Sequence, residues 1–195
     1  MSRKIAVVFP GIGYHTDKPL LYFSKKLAIQ HGYEIKDVPY GGFDKNIKGD
    51  SVKMYAAFES AVAQCEELLK NVNFDEYASI LFISKSIGTA VAAAYGAKRG
   101  IQTRNIFFTP VQQSFQVMKD EGILFHGTAD PWLNHEIFLR ECGKTEYPYY
   151  LVEGGNHSLE TGDALRDLDN LRWIMEKVEH YMVIDEDVAD ACCTD

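Results

Sequence analysis

The chain has 195 residues, 46% hydrophobic and 25% charged, with 15 Gly and only 6 Pro. That profile belongs to a soluble globular protein and excludes collagen-like, low-complexity and disordered classes. A formal net charge of −8 leaves no basic stripe to displace phosphate counterions, so a small molecule or another protein is expected as partner rather than nucleic acid.

The start, MSRKIAVVFPGIG, has too short an apolar stretch for a signal peptide and lacks a small-residue cleavage site. No run approaches the roughly 18 apolar residues that span a membrane, so no membrane partner is expected. The cysteines at 65, 142, 192 and 193 suit neither a disulfide framework nor a zinc site. Reduced thiols in a cytoplasmic protein are the expectation.

In chain order, the apolar run IAVVF predicts a first strand at 5–9, followed by a helix at 20–31 and a second strand at 33–38. Ser51 is placed to N-cap a long helix with Phe58, Val62, Cys65 and Leu69 on one face. A third strand at 79–83 leads at once into an Ala-rich helix at 87–98, whose small side chains suit close packing on a sheet. Strands at 105–109 and 123–126 follow, then a helix at 131–142 and a sixth strand at 149–152. The last helix, over about 161–181, carries Leu165, Leu168, Leu171, Ile174 and Val178 on one stripe.

The strand runs are nearly continuous rather than alternating, as in parallel sheets covered on both faces. Strands alternating with helices predict a three-layer α/β sandwich around a mostly parallel six-stranded sheet with right-handed crossovers. One domain is expected over 1–183, with an acidic tail over 184–195. Ligands of such folds bind beyond the carboxyl ends of the strands, and three of those ends carry chemistry.

The third strand turns through Ser84-Lys85-Ser86-Ile87-Gly88. This matches the nucleophile elbow G-x-S-x-G with serine for the first glycine. The turn is so sharp that only small residues fit two before and two after the nucleophile. Ser86 would stand clear of the backbone at a helix N-terminus; the other reading is a plain strand-to-helix turn. Lys85 is expected to point into solvent or onto the neighbouring strand's end.

Asp130 follows the fifth strand and could orient a base, or simply turn the chain ahead of Pro131. His157 lies in a Gly-Gly-Asn loop after the sixth strand, off any apolar helical face, and is the best-placed base. A serine nucleophile needs a base, and the base needs an acid to hold its tautomer. Ser86, Asp130 and His157 occur in that order, each at a different strand end.

FPGIG at 9–13, SKSIG at 84–88, HGTADPW at 126–132 and GGNH at 154–157 together resemble a small α/β-hydrolase, over residues 5 to about 181. The resemblance implies Ser86 as nucleophile, Asp130 as acid and His157 as general base. Two residues depart from the pattern: Ser84 replaces the usual glycine, and Pro10 stands where many relatives carry histidine. Only a short span separates the fourth and fifth strands, so no lid domain fits. The open cleft is then walled by some of Tyr14, Tyr40, Phe43, Phe115 and Trp132, with Tyr14 and Trp132 singled out for substrate.

Acyl transfer also needs N–H donors for the oxyanion. Ile87 supplies one and Ile12 the second, with Gly13 as fallback. A dinucleotide fingerprint would need Gly at 16, where Thr16 stands. No His, Cys and carboxylate cluster has metal-ligand spacing, and no cofactor is implied. The function expected is a serine hydrolase acting on a small ester or thioester. The alternatives are a hydrolase-fold protein that binds without turnover, which an elbow distorted by Ser84 would favour, and a small serine peptidase.

Overall fold

The computed structural model describes residues 2–44, 47 and 50–183. The expected acidic tail, with Cys192 and Cys193, lies outside them. The strands are β1 (Lys4–Phe9), β2 (Tyr33–Asp37), β3 (Ser79–Lys85), β4 (Arg104–Phe108), β5 (Gly122–Gly127) and β6 (Tyr149–Val152). They form one sheet in the order β2-β1-β3-β4-β5-β6, every pair parallel. The helices are α1 (Pro19–Gln30), α2 (Ser51–Leu69), α3 (Ile87–Arg99), α4 (His135–Cys142) and α5 (Ala164–Val183).

Side chains alternate across a strand, and both faces here are covered, which is why the strands read as continuous apolar runs. Ala6, Val8, Leu81, Ile83, Ile106, Phe108 and Phe125 face α1 and α5. Ile5, Val7, Phe9 and Phe82 face the opposite way, into a cluster with Cys65 of α2 and Val91 and Tyr95 of α3. Phe107 and Leu124 extend that layer toward Phe138 of α4. Burial of each large apolar side chain contributes roughly 1.5–3 kcal/mol.

Four expectations need correction. Asp50, not Ser51, caps α2: its carboxylate accepts from the amides of Val52 and Lys53 at 3.1 and 3.0 Å. The helix expected from 131 begins at His135, because Asn134 is its cap and Asp130 is committed to the amide of Trp132 at 2.8 Å. Between β4 and β5 the chain makes only a short 3₁₀ turn, Gln112–Gln116, so strand and helix do not alternate throughout. On α5 the buried positions are Ile174, Val178 and Met182, whereas Leu165 and Leu168 are 75% and 62% exposed. The first turns of α5 extend past the core its later turns cover, and Asp163 caps them by accepting from Leu165 and Arg166 amides.

His126 is fully buried on β5, its ring 4.1 Å from that of Phe138 and stacked on His135 at 5.5 Å. Neither ring nitrogen has a hydrogen-bond partner. Burial pushes its pKa from 6.5 down to about 4; Asp130 pulls the other way, while His135 and His157 add to the fall. The unfolded chain therefore binds the extra proton between those pH values, and stability present above pH 6.5 is lost on acidification toward pH 4. Urea titrations should show about 2 kcal/mol less stability at pH 5 than at pH 7 from this group, and His126→Phe should remove that loss.

Candidate active site

Ser86 sits between β3 and α3 with φ 57° and ψ −127°. A non-glycine residue held there costs on the order of 1–3 kcal/mol and persists only where its surroundings enforce it. Its N–H bonds the Phe108 carbonyl of β4 at 3.0 Å, and its own carbonyl accepts from Thr89 N–H at 2.9 Å and the Thr89 hydroxyl at 2.7 Å. A Cβ on Gly88 would come within 2.5 Å of the Phe9 and Pro10 carbonyl oxygens, so this position requires glycine. Ser84 is tolerated differently: it is buried, and its hydroxyl donates to the Ile106 carbonyl at 3.2 Å. The elbow keeps its strained geometry with serine there.

The loops after β5 and β6 are laced together. Ala129 N–H bonds the Gly155 carbonyl at 3.0 Å, Gly154 N–H bonds the Thr128 hydroxyl at 2.8 Å, and a Cβ on Gly127 would meet the Gly155 oxygen at 2.2 Å. This lacing brings Asp130 and His157 side by side. His157 Nδ1 lies 2.7 Å from Asp130 Oδ2, and Nε2 lies 2.7 Å from Ser86 Oγ.

Asp130's side chain is fully buried. Burial disfavours its ionised form, but the hydrogen bond and charge of His157, with the Trp132 amide, outweigh that and hold the carboxyl below its usual value. An ionised Asp130 can only accept, so Nδ1 carries the proton and Nε2 is left to accept from Ser86. Trp132 stacks on the imidazole at 5.4 Å.

The cleft above Ser86 has a volume of about 200 Å³ and is lined by Ile12, Tyr14, Met54, Ile87, Val111 and Trp132, among others. Tyr14 and Trp132 are where they were expected. Tyr40 is not: it is buried, donating to the Pro10 carbonyl at 2.6 Å. Phe43 packs beside α2, and Phe115 packs on Phe138. Met54 and Val111 carried no sequence signal, because an apolar residue at a cleft looks like any other apolar residue.

Ile12 and Gly13 form the tip of a turn closed by reciprocal bonds between Gly11 and Tyr14 at 3.0 and 3.1 Å, with Gly13 at φ 76°. A Cβ on Gly11 would stand 3.0 Å from that of Ser86, so the turn lies against the serine. Ile87 opens α3, where amides lack an intrahelical acceptor. His15 is exposed, its Nδ1 accepting from Asp17 N–H at 3.4 Å.

Of the two directions expected for Lys85, solvent and the end of the neighbouring strand, it takes the second, reaching Thr109 directly after β4. It is fully buried, Nζ donating to the Thr109 hydroxyl and lying 4.9 Å from the centre of the Tyr14 ring. Thr109, at φ 42°, donates in turn to the His157 carbonyl at 3.1 Å. An amine under the cleft is thus linked to the backbone of the imidazole.

No protein-family model matches this sequence, and no curated protein does. Solved structures do. Est1E of Butyrivibrio proteoclasticus superposes with a TM-score of 0.67 at 12% identity, over 96% of this chain and 89% of its own. An alpha-beta serine hydrolase homologue of Coxiella burnetii gives 0.66 at 14% identity, over 92% and 85%. A Xanthomonas campestris serine hydrolase without a lid gives 0.58 at 15% identity, over 91% and 79%. The chain has the α/β-hydrolase fold. Identities this low carry the fold and leave the chemistry to the residues.

Burial pushes the Lys85 ammonium from 10.5 down to about 7, against the attraction of Asp130 and Glu160. The unfolded chain binds the extra proton between those values, so stability rises with pH above 7. Lys85 should make the protein about 2 kcal/mol more stable at pH 9 than at pH 7. Denaturant titrations of Lys85→Met, which keeps the aliphatic stem, should lose that rise.

Proposed function

We propose that the protein is a serine hydrolase that cleaves a carboxylic ester or thioester through an acyl-enzyme. The observation carrying this reading is the unbroken hydrogen-bonded line from Asp130 through His157 to Ser86, both contacts 2.7 Å, ending on a serine held at positive φ. Strained backbone at the head of such a line is how a nucleophile is presented rather than tucked into a helix cap.

Ser86 Oγ attacks the carbonyl carbon while its proton passes to His157 Nε2. Ionised Asp130 stabilises the imidazolium without taking its proton. The Ile12 and Ile87 amides donate to the oxyanion, and a preorganised donor of this kind is worth roughly 3 kcal/mol. As the tetrahedral intermediate collapses, His157 returns the proton to the departing oxygen or sulfur. A water deprotonated by the same nitrogen then attacks the acyl-enzyme and regenerates Ser86. The fold shared with a serine hydrolase homologue and with a serine hydrolase without a lid supports hydrolysis as the reaction class.

A fluorophosphonate probe should label one residue, Ser86, by intact mass and peptide mapping, and Ser86→Ala should take up none. Ser86→Ala and His157→Ala should each lower ester turnover at least about 10⁴-fold with the thermal melt retained. Turnover should also fall on acidification, as His157 takes up a proton and can no longer accept one from Ser86. A folded, monodisperse protein that takes up no probe would defeat the reading.

A further inference from the structure

A second hollow adjoins the cleft. Its volume is about 360 Å³, larger than the 200 Å³ above Ser86, and Tyr14 and Ser158 belong to both walls. It runs between the start of α1 and the first half of α5, lined by Pro19, Leu20, Leu159, Leu168 and Leu171. Tyr14 stands at their junction, its hydroxyl accepting from the Leu20 amide at 3.2 Å. Leu159 is buried at φ 61°, a conformation leucine rarely adopts, and it directly follows Ser158. Backbone strain is therefore held at the junction of hollow and cleft.

The walls also select by charge. The lining contains two carboxylates, Glu160 and Asp167, and no cation. Asp167 is occupied by the amides of Thr161 and Gly162 and by the Thr161 hydroxyl. An anionic group meets no cation there, whereas an uncharged aliphatic chain gains from burial against Pro19, Leu20, Leu159, Leu168 and Leu171. Leu168, 62% exposed, is the wall that such a chain would cover.

We propose that this hollow takes an uncharged aliphatic chain of the ester that Ser86 cleaves. The proposal rests on the hydrolase reading above and makes the protein a medium-chain esterase. The chain enters from the carbonyl in the cleft, passes Tyr14 and Ser158, and lies along Leu168 and Leu171. At about 30 Å³ per water-sized group the hollow holds at most about a dozen such groups, so methylenes beyond that length lie outside it and gain nothing. The same chemistry could reside in the acyl part or in the leaving alcohol.

The test is a chain-length series, run on enzyme already shown to take up the fluorophosphonate probe at Ser86. A lack of labelling counts against the hydrolase reading; the series addresses the hollow alone. One arm uses p-nitrophenyl esters from acetate to dodecanoate, the other acetates of alcohols of increasing length. In one arm kcat/KM should rise roughly three- to fourfold per methylene and level off by about ten carbons. The rising arm identifies which half of the ester occupies the hollow. Leu168→Glu should flatten the slope, and Val52→Glu, on an exposed position of α2 outside both walls, should retain it. Flat series in both arms of the wild type, or a steep series untouched by Leu168→Glu, would overturn the assignment. So would a dimer that Leu168→Glu dissociates without changing the slope, since a second copy would then own the surface.

Discussion

Everything at the site depends on one close approach of backbone to backbone. For the chain to reverse at Ser86, the first turn of α3 must press onto the end of β1, and Gly88 leaves no room there for even a methyl group. That contact brings the turn at Gly11–Tyr14 against Ser86, because the turn directly continues β1. The other neighbour of β3 takes part as well, since the Ser86 amide is held by Phe108 of β4. The strain at Ser86 is thus imposed by the two strands flanking its own, and the sheet order β1-β3-β4 is what makes it possible.

The site is built over buried polar groups that the fold handles in different ways. Asp130 is buried but satisfied by His157 and the Trp132 amide, so it stays ionised. Lys85 is buried with one hydroxyl and one aromatic face as partners, and its ammonium is destabilised. His126 is buried with no partner and holds the neutral form. The ordering follows from what each group finds in place of water: a desolvated charge persists only where hydrogen bonds and an opposite charge replace hydration. It also separates these groups, because Lys85 and His126 tie the stability of the protein to pH without sitting on the hydrogen-bonded line from Asp130 to Ser86.

The strands were almost fully legible. Their apolar runs are long enough and flanked sharply enough that the expected bounds differ from those observed by only one or two residues. Helix starts were less so, and each miss has a local cause. Asp50 outcompetes Ser51 as a cap because its carboxylate reaches two amides, while the side chain of Asp130 diverts the chain after Pro131 into a turn before α4 begins. The leucines of α5 show the limit of periodicity. Leu165 and Leu168 keep the spacing of a buried stripe, yet the spacing says nothing about how far the opposing surface extends.

By itself the sequence determined the order of strands and helices, the small residues of the elbow, and a serine, an acid and a histidine at three separate strand ends. Those are local properties, written in composition and spacing along the chain. Only the tertiary structure decided that the three side chains meet at 2.7 Å, that Tyr40 and Phe115 serve the core instead of the cleft, and that Lys85 lies under Tyr14 instead of in solvent. The direction and burial of a side chain at a strand end depend on the neighbouring strands and on the loops that cover it. Those neighbours are distant in sequence: Ser86 and His157 stand 71 residues apart, and no local pattern encodes a contact across that interval.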